Sequence, residues 1–245
     1  MRGAKAITPF LVRWLGAHPW YLSVFLKRMK ELAALRQTRE VNDALVVQTA
    51  WDVLGSSEGI LHHWCVSRME SLAQGRPGAR AVEVLMQIAA GARTATEIGK
   101  RVGRAGLPGT LQLLLEHDLI QRKGMCWFIP DAIISCWLAA ILPAQRSGSG
   151  LGERAVRSSF EQHLAGAWNQ WLRATQLSFS EQVSRLFANF RDDTVSLDSK
   201  TGRLQRFSTV TLHQPPEMPD STAYLIAEGA GRRWCCTVQE GLVDE

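Results

Sequence analysis

No apolar run in these 245 residues approaches the roughly 20 needed to cross a bilayer, so a membrane-spanning helix is not expected. The opening MRGAKAITPF carries basic residues, but Arg13 and His18 break the apolar stretch that a signal peptide needs, so the chain reads as cytoplasmic. Cysteine is limited to positions 65, 126, 136, 235 and 236, an odd number without a CxxC pair. The adjacent Cys235 and Cys236 are poorly placed to bridge each other, and the five read as reduced thiols used as small hydrophobes. A Gly-x-x-x-x-Gly-Lys-Ser/Thr run is missing, and so is an apolar strand ending in paired acids. Without the backbone cradle, its lysine and a magnesium-side carboxylate, autonomous ATP hydrolysis is not expected. Tyrosine is scarce, with two against nine tryptophans, a bias that suits cores and interfaces and names no chemistry.

What is present is a globular composition, 46% apolar and 21% charged. The net charge of +5 is unevenly spread. Residues 1–152 hold 18 Lys/Arg against 11 Asp/Glu, and residues 153–245 hold 10 against 12. A basic front half suits nucleic acid or an acidic partner domain. Gln74-Gly75-Arg76-Pro77-Gly78 breaks a long helical stretch, and Pro143 to Gly152 has the composition of a linker. Three domains are therefore expected, at 1–75, 76–145 and 153–245.

In the first, Thr8-Pro9 supplies a cap and a first-turn proline, and Gly16 ends the helix. Pro19 opens a second helix, and residues 43–54 and 57–72 repeat the apolar period, giving a four-helix bundle. In the second, a helix spans Ala81 to Ala90 and Thr94-Ala95-Thr96-Glu97 caps another. A third carries Leu111, Leu114 and Leu115 inward, and two short strands flank a Lys123-Gly124 turn. Helix, helix, helix, hairpin is the winged helix-turn-helix order. In the third, helices over Phe160–Leu172 and Ser180–Phe190 precede strands at 194–197, 205–212, 223–227 and 234–238. Trp168, Leu172, Leu186 and Phe190 are expected to bury against Val195, Leu197, Val210 and Leu225. The fold class is thus multi-domain and mainly α: a helical lid bundle, a winged helix, then a small α+β domain.

Gly16-Ala17-His18-Pro19-Trp20-Tyr21-Leu22 resembles the Gly-x-His/Asn-Pro-x-Tyr-Leu signature in the helical lid of AAA+/STAND-type ATPases of the archaeal-ATPase-like group. The resemblance continues through Ala81-Val82-Glu83-Val84-Leu85-Met86, Leu119-Ile120-Gln121-Arg122, Phe128-Ile129-Pro130-Asp131 and Trp137-Leu138. It implies a lid that packs over nucleotide with His18 and Pro19 near the adenine, then a winged helix. From Phe160-Glu161 onward it implies a nuclease-like α+β domain. The ATPase core of such proteins is not in the chain, since Met1 falls 15 residues before the signature. The expected counterpart is therefore a C-terminal regulatory part, with ATP as cofactor only if a separate P-loop core supplies its site.

Other chemistry has weaker support in the sequence. The third helix of the winged segment, about Pro108–His117, holds Thr110, Gln112, Glu116 and His117 but neither lysine nor arginine. Cations surround it instead: Arg93, Lys100, Arg101, Arg104, Arg122 and Lys123. That set suits phosphate contact with little base reading. Asp198-Ser199-Lys200 is the one Asp-x-Lys run after the linker, and it falls in an expected turn. Thr237-Val238-Gln239 stands where a Glu-x-Lys would be and can neither chelate nor stabilise charge, so a metal-dependent nuclease is not expected. His62-His63 and Cys65 lack matched ligand spacing, so no metal is expected. Glu161 and Glu181 read as solvated helix positions. The leading expectation is a non-catalytic interaction module whose partner is a P-loop ATPase core or another protein domain; the alternatives are a DNA-binding winged-helix regulator and a divergent nuclease.

Overall fold

The computed structural model describes residues 4–38, 40–72, 76–146, 152–190, 192–197, 200–214 and 222–239. They form two compact units, 1–169 and 170–245. The mainly helical N-terminal region is followed by a small antiparallel β region. No helix among the described residues is long and apolar enough to cross a membrane.

The first unit opens with α1 (Ala4–Trp14), α2 (Pro19–Leu35), α3 (Asp43–Ala50) and α4 (Ile60–Leu72). α1 does not start at Thr8-Pro9; Pro9 lies inside it. An internal proline costs about 3 kcal/mol, and burial of Ile7, Phe10, Leu11, Trp14 and Leu15 on one stripe outweighs that. Gly16 at φ +69° ends α1, with the Ala17 amide donating to the Val12 carbonyl. α3 runs into a π-helical turn, Trp51–Gly55, closed by the Ser56 amide on the Trp51 carbonyl at 2.8 Å.

Then come α5 (Arg76–Ala89), α6 (Ala95–Val102) and α7 (Leu107–Glu116), with hairpin β1 (Gln121–Lys123) and β2 (Cys126–Phe128). α5 starts five residues before the expected Ala81. The Thr94/Glu97 capping box forms at both ends. The hairpin turn is Gly124-Met125 and not Lys123-Gly124, because Lys123 pairs with Cys126. Gly124 at φ +59° occupies the first central position, where glycine is favoured in the two-residue turn that matches strand twist. Thr94 adds a bridge to Cys126, so the α5–α6 connection lies along the hairpin.

α8 (Ala132–Cys136), a second π-helical turn (Trp137–Ile141) and α9 (Leu142–Arg146) form one helical stretch. The expected linker from Pro143 is therefore helical through Arg146, with proline in a first turn where its missing N–H is harmless. α10 (Glu153–Thr175) is longer at both ends than expected. In unit 1 its Trp168 meets Phe10 edge-on at 4.9 Å, which corrects its assignment to the strands.

In unit 2, Ser178 caps α11 (Phe179–Ala188) through a second capping box. β3 (Asp193–Leu197) pairs with β4 (Lys200–Leu204), a strand the sequence reading placed in a turn. β5 (Thr209–His213), β6 (Thr222–Gly229) and β7 (Arg232–Gln239) form an antiparallel sheet in that order. Phe207, Leu225, Ala227 and Val238 make its core, covered by Val183, Phe187 and Phe190. Phe190 and Leu225 pack as expected, whereas Leu186 is 57% exposed. The side chains of Val195 and Leu197, and all of Asp198 and Ser199, lie outside the described residues.

Candidate functional site

His18 is the N-cap of α2 and Pro19 its first residue. Both are exposed, and the His18 ring lies 4.4 Å from the Tyr21 ring. One turn on, Tyr21 is only 3% exposed and donates its hydroxyl to Asp131 Oδ2 at 2.6 Å. Asp131 Oδ1 accepts the Ile133 and Ile134 amides at 2.9 Å each, capping α8. One carboxylate thus ties the start of α2 to the start of α8, 110 residues away. Burial and the bond to Asp131 push the Tyr21 phenol well above its usual range. Trp20 and Trp64, with ring centroids 6.0 Å apart, extend the aromatic edge outward. The Gly16–Leu22 and Pro130–Leu138 runs, far apart in sequence, meet here.

The six cations divide by attachment. Arg93, Lys100, Arg101, Arg104, Arg122 and Lys123 are all exposed. Arg101 donates to Gln87 at 3.2 Å. Arg122 donates to the Gly124 carbonyl at 2.8 Å and lies over Trp127, and Lys123 lies over Phe128. Both hairpin cations therefore rest on aromatic rings of β2, which orders them at modest energetic gain. The exposed positions of α7 add Gln112 and Glu116, bonded to each other at 3.0 Å.

Two further candidate groups lie around His62 and around Asp198. His62 is 5% exposed, and its Nδ1 lies 3.2 Å from Trp137 Nε1. The Leu54 carbonyl lies 3.3 Å from the same Nδ1, and because an indole N–H only donates and a carbonyl only accepts, the tautomer decides which of the two bonds the ring makes. Burial lowers its proton affinity. His63 is exposed, and Cys65 is fully buried with its thiol pushed up by burial. Cys136, also buried, is raised to about 12. No group of three or more His, Cys, Asp or Glu able to hold a metal occurs among the described residues. Asp198-Ser199 lies outside the described residues, while Thr237–Gln239 sits on β7 with no carboxylate.

A polar network that the sequence reading missed crosses unit 1. Arg28 donates to Asp52 Oδ2 at 2.9 and 2.6 Å and to Glu31 at 3.1 Å. Gln48 bridges from Asp52 Oδ1 at 2.7 Å to Arg157 at 2.8 Å, and Arg157 reaches Glu161 at 2.9 Å. A cleft of about 410 Å³ opens beside it, lined by Lys27, Arg28, Glu31, Asp52, Ser56 and Glu58. The π-turn carries Asp52 to this wall, and such turns recur at functional positions. Partners 24 and 109 residues apart leave no local signal in a sequence.

Comparison with protein families, curated proteins and solved structures returns no match for this chain.

Proposed function

We propose that the chain is a non-catalytic regulatory module that binds another protein, built as the lid and winged helix of an AAA+/STAND-type ATPase are built. The observation that supports this reading is the Tyr21–Asp131 bond. It fastens the lid-like signature to the helix that follows the winged segment, so a push on the exposed His18-Pro19-Trp20 edge is passed to α8 directly. In this reading α5, α6, α7 and the β1–β2 hairpin are the winged helix, and the exposed edge of α2 meets a P-loop core supplied by another chain. Nucleotide then binds only in that assembly. The isolated chain, offering His18 and Pro19 but no phosphate cradle, binds ATP no better than about millimolar, near −4 kcal/mol.

The test places a photo-crosslinking benzoylphenylalanine at Trp20, which is 38% exposed, and for comparison at Leu35, which is 75% exposed. Irradiation in the native cell should capture a chain containing a P-loop from Trp20 and not from Leu35. Capture of no P-loop protein, or equal capture from both sites, refutes the reading, as does micromolar ATP binding by the isolated chain.

A second reading, DNA contact through phosphates, is favoured by the exposure of all six cations around the winged helix. With Arg101, Arg104, Arg122 and Lys123 as contacts, log affinity should fall against log salt with a slope of about −3.6. Removing Arg122 and Lys123 should reduce that slope by roughly two. An unchanged slope, or strong preference for one duplex sequence, refutes this contact set.

A further inference from the structure

In unit 2, β7 pairs with β6 on one side and with no strand on the other among the described residues. Exposed strand edges normally carry a deterrent to further pairing: a lysine, a proline, an inward charge or a bulge. The middle of β7, Trp234-Cys235-Cys236-Thr237-Val238, has none of these, and its register with β6 runs unbroken from Arg232 to Gln239. The opposite edge, β5, has five residues against eight. A long, regular edge with an uncharged centre is suited to pairing with another strand.

We infer that β7 is paired antiparallel by β7 of a second copy of this chain, about a twofold axis through Cys235. A twofold perpendicular to the sheet keeps the faces of the two copies aligned. Directly opposed residues of an antiparallel pair point to the same face, so opposed residue numbers must sum to an even value. The strand is centred between Cys235 and Cys236. The two registers of greatest overlap therefore set either Cys235 or Cys236 against its own copy. Burial selects between them: Cys236 packs against the core of unit 2, whereas Cys235 is exposed on the outer face with Arg233 and Thr237.

In the Cys235 register, Arg233 opposes Thr237 of the second copy, Arg232 opposes Val238 and Trp234 opposes Cys236. The two Arg233 residues stand four positions apart along the strand, about 14 Å, so no like charges oppose. That separation exceeds the screening length of roughly 8 Å at physiological salt. The pairing is isologous, closes on itself and leaves β5 as the free edge of each sheet. So short an interface is transient by itself, and the opposed thiols can make it permanent. Their Cα atoms would lie about 4.5–5.5 Å apart, inside the 4.4–6.8 Å range that a disulfide spans. With oxidised glutathione as oxidant, one Cys235 thiolate attacks the glutathione disulfide and expels a glutathione thiolate. The second Cys235 thiolate then attacks the protein sulfur of that mixed disulfide and expels the other. Two protein thiols are oxidised, one glutathione disulfide is reduced to two thiols, and the two protons end on glutathione.

The test uses the full chain, reduced and then treated with oxidised glutathione, and reads the covalent dimer on a non-reducing gel. Wild type and Cys236→Ser should dimerise and Cys235→Ser should not, with reductant reversing the product and circular dichroism checking that each variant is folded. In a Cys235→Ser/Cys236→Ser background, mixing the Arg233→Cys and Thr237→Cys chains should give a crosslinked heterodimer at least tenfold faster than either variant crosslinks alone. Dimer that survives Cys235→Ser, or equal rates for mixed and single chains, overturns the register. A wild-type chain that stays monomeric under oxidation, whether or not it captures an acidic strand peptide on the two arginines instead, overturns the choice of a second copy.

Discussion

Replacing Tyr21 by Phe removes a single oxygen and tests whether the α2–α8 tie carries stability. The ring keeps its packing against Trp20 and Trp64, so the change isolates the 2.6 Å bond to Asp131. A hydrogen bond to an ionised partner is worth about 1.5–3 kcal/mol. Asp131 retains its two amide donors from α8, which keeps the expected loss toward the lower part of that range, about 2 kcal/mol. For a unit of this size each kcal/mol moves the melting temperature by about 2–4 °C, so a drop of about 4–8 °C is expected by calorimetry. A pH signature separates this from a packing defect. The native phenol titrates above the unfolded value of about 10. Above pH 10 the unfolded chain therefore releases a proton that the native chain keeps, and stability falls as pH rises. Below pH 10 the contribution is fully present. The difference between wild type and Tyr21→Phe should shrink above pH 10, which cancels the alkaline contributions of Cys65 and Cys136 common to both. Asp131→Asn, which preserves a capping oxygen, should make Tyr21→Phe nearly neutral. A loss under about 0.5 kcal/mol, or additive effects of the two changes, would refute the reasoning.

Burial lowers the proton affinity of His62, so the unfolded chain binds a proton below pH 6.5 that the native ring resists; stability should fall as pH drops through this range, and His62→Gln should flatten the slope in urea titrations at stepped pH. A methyl group at Gly59 would stand 2.5 Å from the Val53 carbonyl oxygen, so Gly59→Ala should cost about 1–3 kcal/mol in chemical denaturation. Gly109 in α7 has open space around it, and Gly109→Ala should instead stabilise by about 0.5–1 kcal/mol in the same assay. Trp168→Ala should cost about 3–5 kcal/mol, with hydrogen-exchange protection lost from α1 and not from β5–β7, because its ring partner is Phe10.

Most helices and the first hairpin were legible because their signals are local: apolar period, the Thr94/Glu97 box, and glycine at the turns. Misplaced ends had nonlocal causes. Pro9 sits mid-helix because five buried side chains hold α1 together from outside it, and Pro143 continues a helix because the preceding π-turn delivers it to a first turn. β4 was read as part of a turn because Lys200-Thr201-Gly202 has turn composition, yet β3 supplies the partner that extends it. At the candidate site, His18 and Pro19 stand exposed at the start of α2. What the sequence reading missed was the use of Tyr21: its hydroxyl has a partner 110 residues away, a distance at which no periodicity operates. The same holds for Arg28, Asp52 and Arg157, whose network exists only after α2, α3 and α10 have docked.

The two π-turns bear on how this chain should be aligned with others. Each holds one more residue than an ordinary helical turn, closed by an amide reaching back five positions to a tryptophan carbonyl. Deleting one residue inside Trp51–Gly55 or Trp137–Ile141 would leave an unbroken α-helix but turn everything beyond it by about 100°. In the first stretch the chain leaves the helix at Ser56, so a short turn absorbs the rotation. In the second, α9 would swing with it. Related chains should therefore differ from this one by a single-residue gap in mid-helix near Trp51 more readily than near Trp137, and an alignment that confines gaps to loops would slip by one residue across the 43–55 helix.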